Sequence, residues 1–126
     1  MTPEFRLLVE LYKSMKIEFS NLKPITIAVW ILESGRGESG LAVNHLNFAG
    51  MKYRTEINAF AKRVNYEGHD GNGYYCEFAS LVDFVAGYWA FLDRSPYEGW
   101  RQRAHDEIEF IRHVGPIWAE DPNYVE

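Results

Sequence analysis

The sequence predicts an α+β fold, mostly helical, with one small β-hairpin lobe. Apolar residues recur at helical spacing in several stretches. Between them lies a single pair of strand-like runs around Asp70-Gly71-Asn72-Gly73, two strong turn dipeptides in succession. With 126 residues, 47% of them hydrophobic and 16% aromatic, the chain can build a real core, and one domain spanning residues 1–126 is expected.

Residues 3–16 read as an amphipathic helix, with Thr2 as its cap, Pro3 in the first turn and Glu4 at the positive end. Phe5, Leu8, Leu11, Tyr12 and Met15 fall on one face. Asn21–Pro24 connects to a second helix whose run Ile25, Ile27, Ala28, Val29, Trp30, Ile31, Leu32 is apolar enough to be buried. Gly35 and Gly37 break that helix. Ser39 then caps a short helix through about Leu46, and residues 51–60 read as loop with a short helical turn. Strands are expected over Ala61–Glu67 and Tyr74–Phe78, joined by His69–Gly73, with Tyr74, Cys76 and Phe78 alternating with Tyr75 and Glu77. Ser80-Leu81-Val82-Asp83 resembles a capping box opening a helix that carries Leu81, Phe84, Val85, Tyr88, Trp89 and Leu92. Pro96 ends that segment. After a short segment around Trp100, Asp106 caps a helix with Ile108, Ile111 and Val114 that stops at Gly115-Pro116, leaving the tail from Ile117 irregular.

Glu33 ends the apolar run of the second helix, directly before Ser34-Gly35. Burial and the negative end of the helix dipole both disfavour a carboxylate there and push its pKa upward. A carboxylic acid that keeps its proton near neutral pH is suited to general-acid chemistry. On these grounds alone a solvated helix end is the better reading, since most glutamates face water.

The stretch from Ile31 to Lys52, ILESGRGESGLAVNHLNFAGMK, resembles the signature of the glucosaminidase family of peptidoglycan hydrolases (glycoside hydrolase family 73). The pieces are Glu33-Ser34-Gly35-Arg36-Gly37-Glu38-Ser39, then Leu41-Ala42, then Asn47-Phe48-Ala49-Gly50-Met51-Lys52. Asp121-Pro122-Asn123-Tyr124 is similar to the family's closing D-P-x-Y. The resemblance implies a lysozyme-like fold with a cleft between helical body and β-lobe. It also implies Glu33 as general acid and peptidoglycan glycan strands as substrate. Two positions differ from many relatives: Arg36 stands where they have Trp, and Trp118 where they have Tyr. An indole donates a hydrogen bond but accepts none.

Glycoside hydrolysis usually needs a second carboxyl group across the scissile bond. The hairpin offers Glu67, Asp70 and Glu77. Asp70 has a local task in its turn, and Glu77 points away from the Tyr74-Cys76-Phe78 face. Because the family carries its second acid before a glycine-containing turn in the hairpin, the resemblance favours Glu67, with Asp70 as the alternative. Aromatic rings and amides suit amino sugars. Asn47 and Phe48 are expected beside Glu33 by resemblance, with Tyr66, Tyr88, Tyr97, Trp118 and Tyr124 as further sugar contacts.

Other chemistries lack their signatures. A net charge of -5 and a pI near 5.4 argue against nucleic acid. The four histidines show no metal-ligand spacing, and neither metal nor cofactor is expected. Cys76, the one cysteine, lies on the apolar alternation of a strand and reads as buried and inert. There is no run of apolar residues long enough for a membrane span, and the charged start MTPEFRLLVELYKS does not read as a signal peptide, so localisation stays open. A monomer is expected.

Overall fold

Trp30 is the hub of the helical body. Its fully buried indole meets Tyr12 at 4.8 Å, Phe84 at 5.0 Å and Tyr88 at 5.3 Å between ring centroids. The computed structural model describes the backbone of residues 1–68 and 71–120 and the side chains of 1–66 and 73–118. The helices are α1 (Pro3–Ser14), α2 (Lys23–Ser34), α3 (Gly40–His45), α4 (Leu81–Leu92) and α5 (Glu107–Glu120), with short 3₁₀ turns between them. Strands β1 (Lys62–Gly68) and β2 (Gly71–Glu77) form the antiparallel hairpin. The fold is thus mostly helical α+β with a two-stranded lobe.

Local chemistry explains the helix starts. Thr2 caps α1 by accepting from the Phe5 amide at 3.1 Å, Ser39 caps α3 through Ala42, and Ser80 caps α4 through Asp83. Asp106 accepts from the Ile108 and Glu109 amides at the start of α5.

Three expectations are corrected. First, α2 does not bury its apolar run. Its buried stripe is Thr26, Trp30 and Ser34, while Leu32 is 81% exposed. Burial of the two hydroxyl residues is offset because each returns its hydroxyl to the carbonyl four residues back, at 2.7 Å in both cases. Second, α5 runs through Gly115-Pro116 to Glu120. Val114 and Trp118, one turn apart, are both buried, and their packing outweighs the hydrogen bond that Pro116 cannot donate. Third, the strands run further toward the turn than expected: the ladder pairs Lys62 with Glu77 through to Gly68 with Gly71. Tyr75 is also buried, not outward, because its face of the hairpin packs on Lys52 and Tyr66.

The lobe joins the body at its base. Phe78 packs edge-on against Phe84, and Gly87 of α4 leaves the space: a Cβ there would lie 2.6 Å from Phe78 Cε1. The Phe78 amide also donates to the His45 carbonyl, and the Cys76 amide to that of Met51. No helix of the described residues is long and apolar enough to cross a membrane.

Candidate active site

Glu33 lies in the last turn of α2, half-buried, one turn beyond Trp30. The chain then makes three successive left-handed residues, Gly35 (φ 58°), Arg36 (φ 61°) and Gly37 (φ 85°). Glycine takes this region freely, whereas Arg36 bears a steric cost there. Ser34 holds the turn, its buried hydroxyl accepting from the Gly37 amide at 2.8 Å. The start of α1 braces it from outside: the Thr2 amide donates to the Arg36 carbonyl, and the Thr2 hydroxyl to that of Gly37. A Cβ on Gly37 would meet Phe5 Cβ at 2.5 Å, so only glycine lets α1 approach this closely.

The hairpin closes on the same loop. Tyr66 of β1 lays its hydroxyl against Gly40, the first residue of α3, and its ring packs edge-on to His45 and Tyr75. A 2.8 Å contact between His45 Nδ1 and Glu77 Oε2 ties α3 to β2. Lys52, 9% exposed, holds its ammonium 4.3 Å from the Tyr75 ring centroid and beside Gly73. The sequence reading gave no role to His45 or Lys52, and the glycine at 73 was the signal available for the latter.

The predicted site residues fall into distinct groups. Glu33 and Tyr66 are partly exposed: Glu33 stands on α2 at the start of the Ser34–Gly40 loop, and Tyr66 on β1 touches Gly40 at its end. Glu67 follows Tyr66 on β1, paired with Asn72, and its side chain lies outside the described residues. Asp70 and Tyr124 also lie outside them. Asn47 and Phe48 do not line a cleft here. Asn47 Nδ2 donates to the Met51 and Cys76 carbonyls, and its Oδ1 accepts from the Ala49 and Met51 amides. That amide is therefore fully used in folding the loop and fastening β2 to it. Phe48 is fully buried between Phe5 and Phe84. Tyr88, Tyr97 and Trp118 form a buried aromatic wall, with Trp118 at 6.1 Å from each of the two tyrosines. These three were expected as sugar contacts, but their rings are packed into the core, where helical spacing puts Tyr88 with Phe84 and Leu92.

Burial raises the Tyr88 phenol above its ordinary range, so Tyr88 stays a neutral phenol. Burial likewise pushes the Cys76 thiol up to about 12, which removes it as a nucleophile. Among the described residues no three His, Cys, Asp or Glu side chains gather as metal ligands.

Residues 9–126 match the glucosaminidase family, described as mannosyl-glycoprotein endo-β-N-acetylglucosaminidase. The chain belongs to the glucosaminidase family. It is accordingly a glycoside hydrolase acting on the glycan of peptidoglycan. No curated protein and no solved structure matches it. In this glucosaminidase the E-S-G stretch occupies a braced helix-to-loop corner, and the Asn47–Lys52 segment forms the structural hinge between body and hairpin.

Proposed function

We propose that this glucosaminidase is an endo-β-N-acetylglucosaminidase that hydrolyses the β-1,4 bond between N-acetylglucosamine and N-acetylmuramic acid. Glu33 is the general acid: its proton passes to the glycosidic oxygen as the bond from that oxygen to C1 breaks. Glu67, on the hairpin, is the second carboxylate, taking a proton from the attacking water or stabilising the oxocarbenium ion. The glycan strand lies along a lysozyme-like groove between the helical body and the lobe, with Tyr66 and Tyr124 as sugar contacts. The chain acts as a single catalytic domain over residues 1–126, and as a monomer.

The observation that carries this reading is the setting of Glu33. It is half-buried, the loop after it is cornered by hydrogen bonds from Ser34 and Thr2, and the hairpin bearing Tyr66 and Glu67 docks seven residues downstream, at Gly40. A surface glutamate with no chemical role would need none of this bracing.

The test is clearing of bacterial wall by the wild type and Glu33→Gln, with borohydride reduction of the products. The variant is expected to lose about 10²–10⁴-fold in rate. Reduced glucosamine at the new chain ends identifies the bond. A reduced muramic acid would assign the neighbouring bond, and 1,6-anhydro ends would make the enzyme a lytic transglycosylase. Equal clearing by both proteins would remove Glu33 from the mechanism.

A further inference from the structure

At the base of the hairpin lies a pocket of about 440 Å³, lined by residues to which the proposed hydrolysis gives no task. Phe78 on its lining is buried and Phe60 half-buried. The polar side chains on it are Asn58 and Lys62, both exposed, and Glu77 and Asp83, both partly exposed. Apolar surface with a few convergent polar groups, at this volume, suits a small ligand or a short peptide.

Two opposite charges on this lining are left without their natural partners. Lys62 and Glu77 stand directly opposite each other in the ladder. Side chains so placed have Cβ atoms about 4.5–5.5 Å apart, close enough for an ion pair. Glu77 instead turns its Oε2 to His45 Nδ1, at 2.8 Å. Asp83 stands three residues after Ser80, where a capping box would set its carboxylate on the Ser80 amide. Only the other half of the box is made, with the Ser80 hydroxyl accepting from the Asp83 amide at 3.1 Å. Among the described residues the Lys62 ammonium, the Asp83 carboxylate and the Asn58 side-chain amide have no hydrogen bond or ion pair. The pocket thus offers one cation and one anion over an apolar surface.

We propose that this pocket binds the stem peptide of the wall polymer, Lys62 taking a peptide carboxylate and Asp83 the side-chain amine of a diamino residue. Stem peptides carry both groups. N-acetylated sugars carry no cation, so the Asp83 carboxylate marks a peptide and not a glycan. Lys62 and Tyr66 share a face of β1, four residues and hence about 13 Å apart. Three or four extended residues span about 10–14 Å, so a stem attached to a sugar beside Tyr66 reaches the pocket. The inference rests on the proposed groove only in placing the glycan strand at Tyr66.

The test is an NMR titration of the enzyme with L-alanyl-γ-D-glutamyl-L-lysine, which has no glycosidic bond to cleave. The amides of Lys62, Glu77 and Asp83 are expected to shift. Lys62→Met keeps the aliphatic stem and Asp83→Asn the shape, and each is expected to weaken binding about three- to fivefold, as for an exposed ion pair. Acetylating the lysine amine cancels the effect of Asp83→Asn, and amidating the peptide carboxylates cancels that of Lys62→Met. On intact wall Asp83→Asn raises KM by a similar factor at unchanged kcat, and on wall stripped of its stems by an amidase it changes neither. A titration without shifts at these residues overturns the proposal. So do variant effects that survive blocking of the matching peptide group, or a KM that rises equally on stripped wall. An enzyme inert on both walls would count against the proposed hydrolysis alone, since the peptide titration is read without turnover.

Discussion

Replacing Gly40 by alanine tests whether the hairpin seats on the loop that follows Glu33. A Cβ at this position would overlap the Tyr66 hydroxyl and lie 3.2 Å from its Cζ and 3.4 Å from its Cε1. Restoring an ordinary carbon–oxygen contact of about 3.3 Å requires the hydroxyl to move about 1 Å. Tyr66 is not free to do so alone, because its ring is packed at 6.0 Å from His45 and 5.8 Å from Tyr75. The movement is passed to the hairpin or to the first turn of α3. Overpacking of this kind costs about 1–3 kcal/mol. Alanine's better helix propensity offsets at most about 1 kcal/mol of it. Gly40→Ala is therefore expected to lose about 1–2 kcal/mol in urea unfolding and, because the two walls are pushed apart, to clear bacterial wall more slowly. Tyr66→Phe removes the overlapping oxygen, so the double variant recovers about half of the stability, a coupling of at least 0.5 kcal/mol in the cycle. If Gly40→Ala matches the wild type in stability and rate, or if the two changes add independently, the hairpin does not rest on α3 as described.

Asn47→Ala takes the Asn47 side chain from the Ala49 and Met51 amides and from the Cys76 and Met51 carbonyls, the last of which keeps the Cys76 amide, and should cost about 3 kcal/mol by thermal or urea unfolding. A sugar-binding asparagine would raise KM and leave stability alone. Pro116→Ala, at an exposed position of α5, restores a helix donor and is expected to stabilise by about 1–3 kcal/mol, measured as a higher Tm with unchanged activity. Cys76 has its folded pKa raised from 9.0 to about 12, so its contribution is complete below about pH 9 and is lost as pH rises toward 12. Stability should therefore decline over that interval, and Cys76→Ala should show a shallower decline in pH-resolved unfolding. Native Cys76 should also resist a thiol reagent at pH 8 until denaturant is added.

Much of the fold was legible because its signals are local. Thr2, Ser39, Ser80 and Asp106 each announce a helix start, and each accepts the expected backbone amide. The hairpin was visible in the turn dipeptides around Gly71 and Gly73. What sequence could not supply was direction. In α2 every residue from Ile25 to Leu32 except Thr26 is apolar, so periodicity could not reveal that Thr26, Trp30 and Ser34 form the inward stripe. The Gly115-Pro116 pair signals a stop, but the burial of Trp118 beyond it is a tertiary fact. At the site, Glu33 was marked by its helix end and its motif. The inward turn of Asn47 and Phe48 was not, because an asparagine that ties a loop and one that binds an acetamido group look alike in sequence.

The contact of Thr2 and Phe5 with the left-handed corner has a practical consequence for protein engineering. The family match begins at residue 9, within α1, and a cut made at that boundary would discard both residues. Gly35, Arg36 and Gly37 would then lose their outer clamp while every matched motif remained intact. A trimmed enzyme of that kind would look complete by homology yet carry a slackened corner beside Glu33.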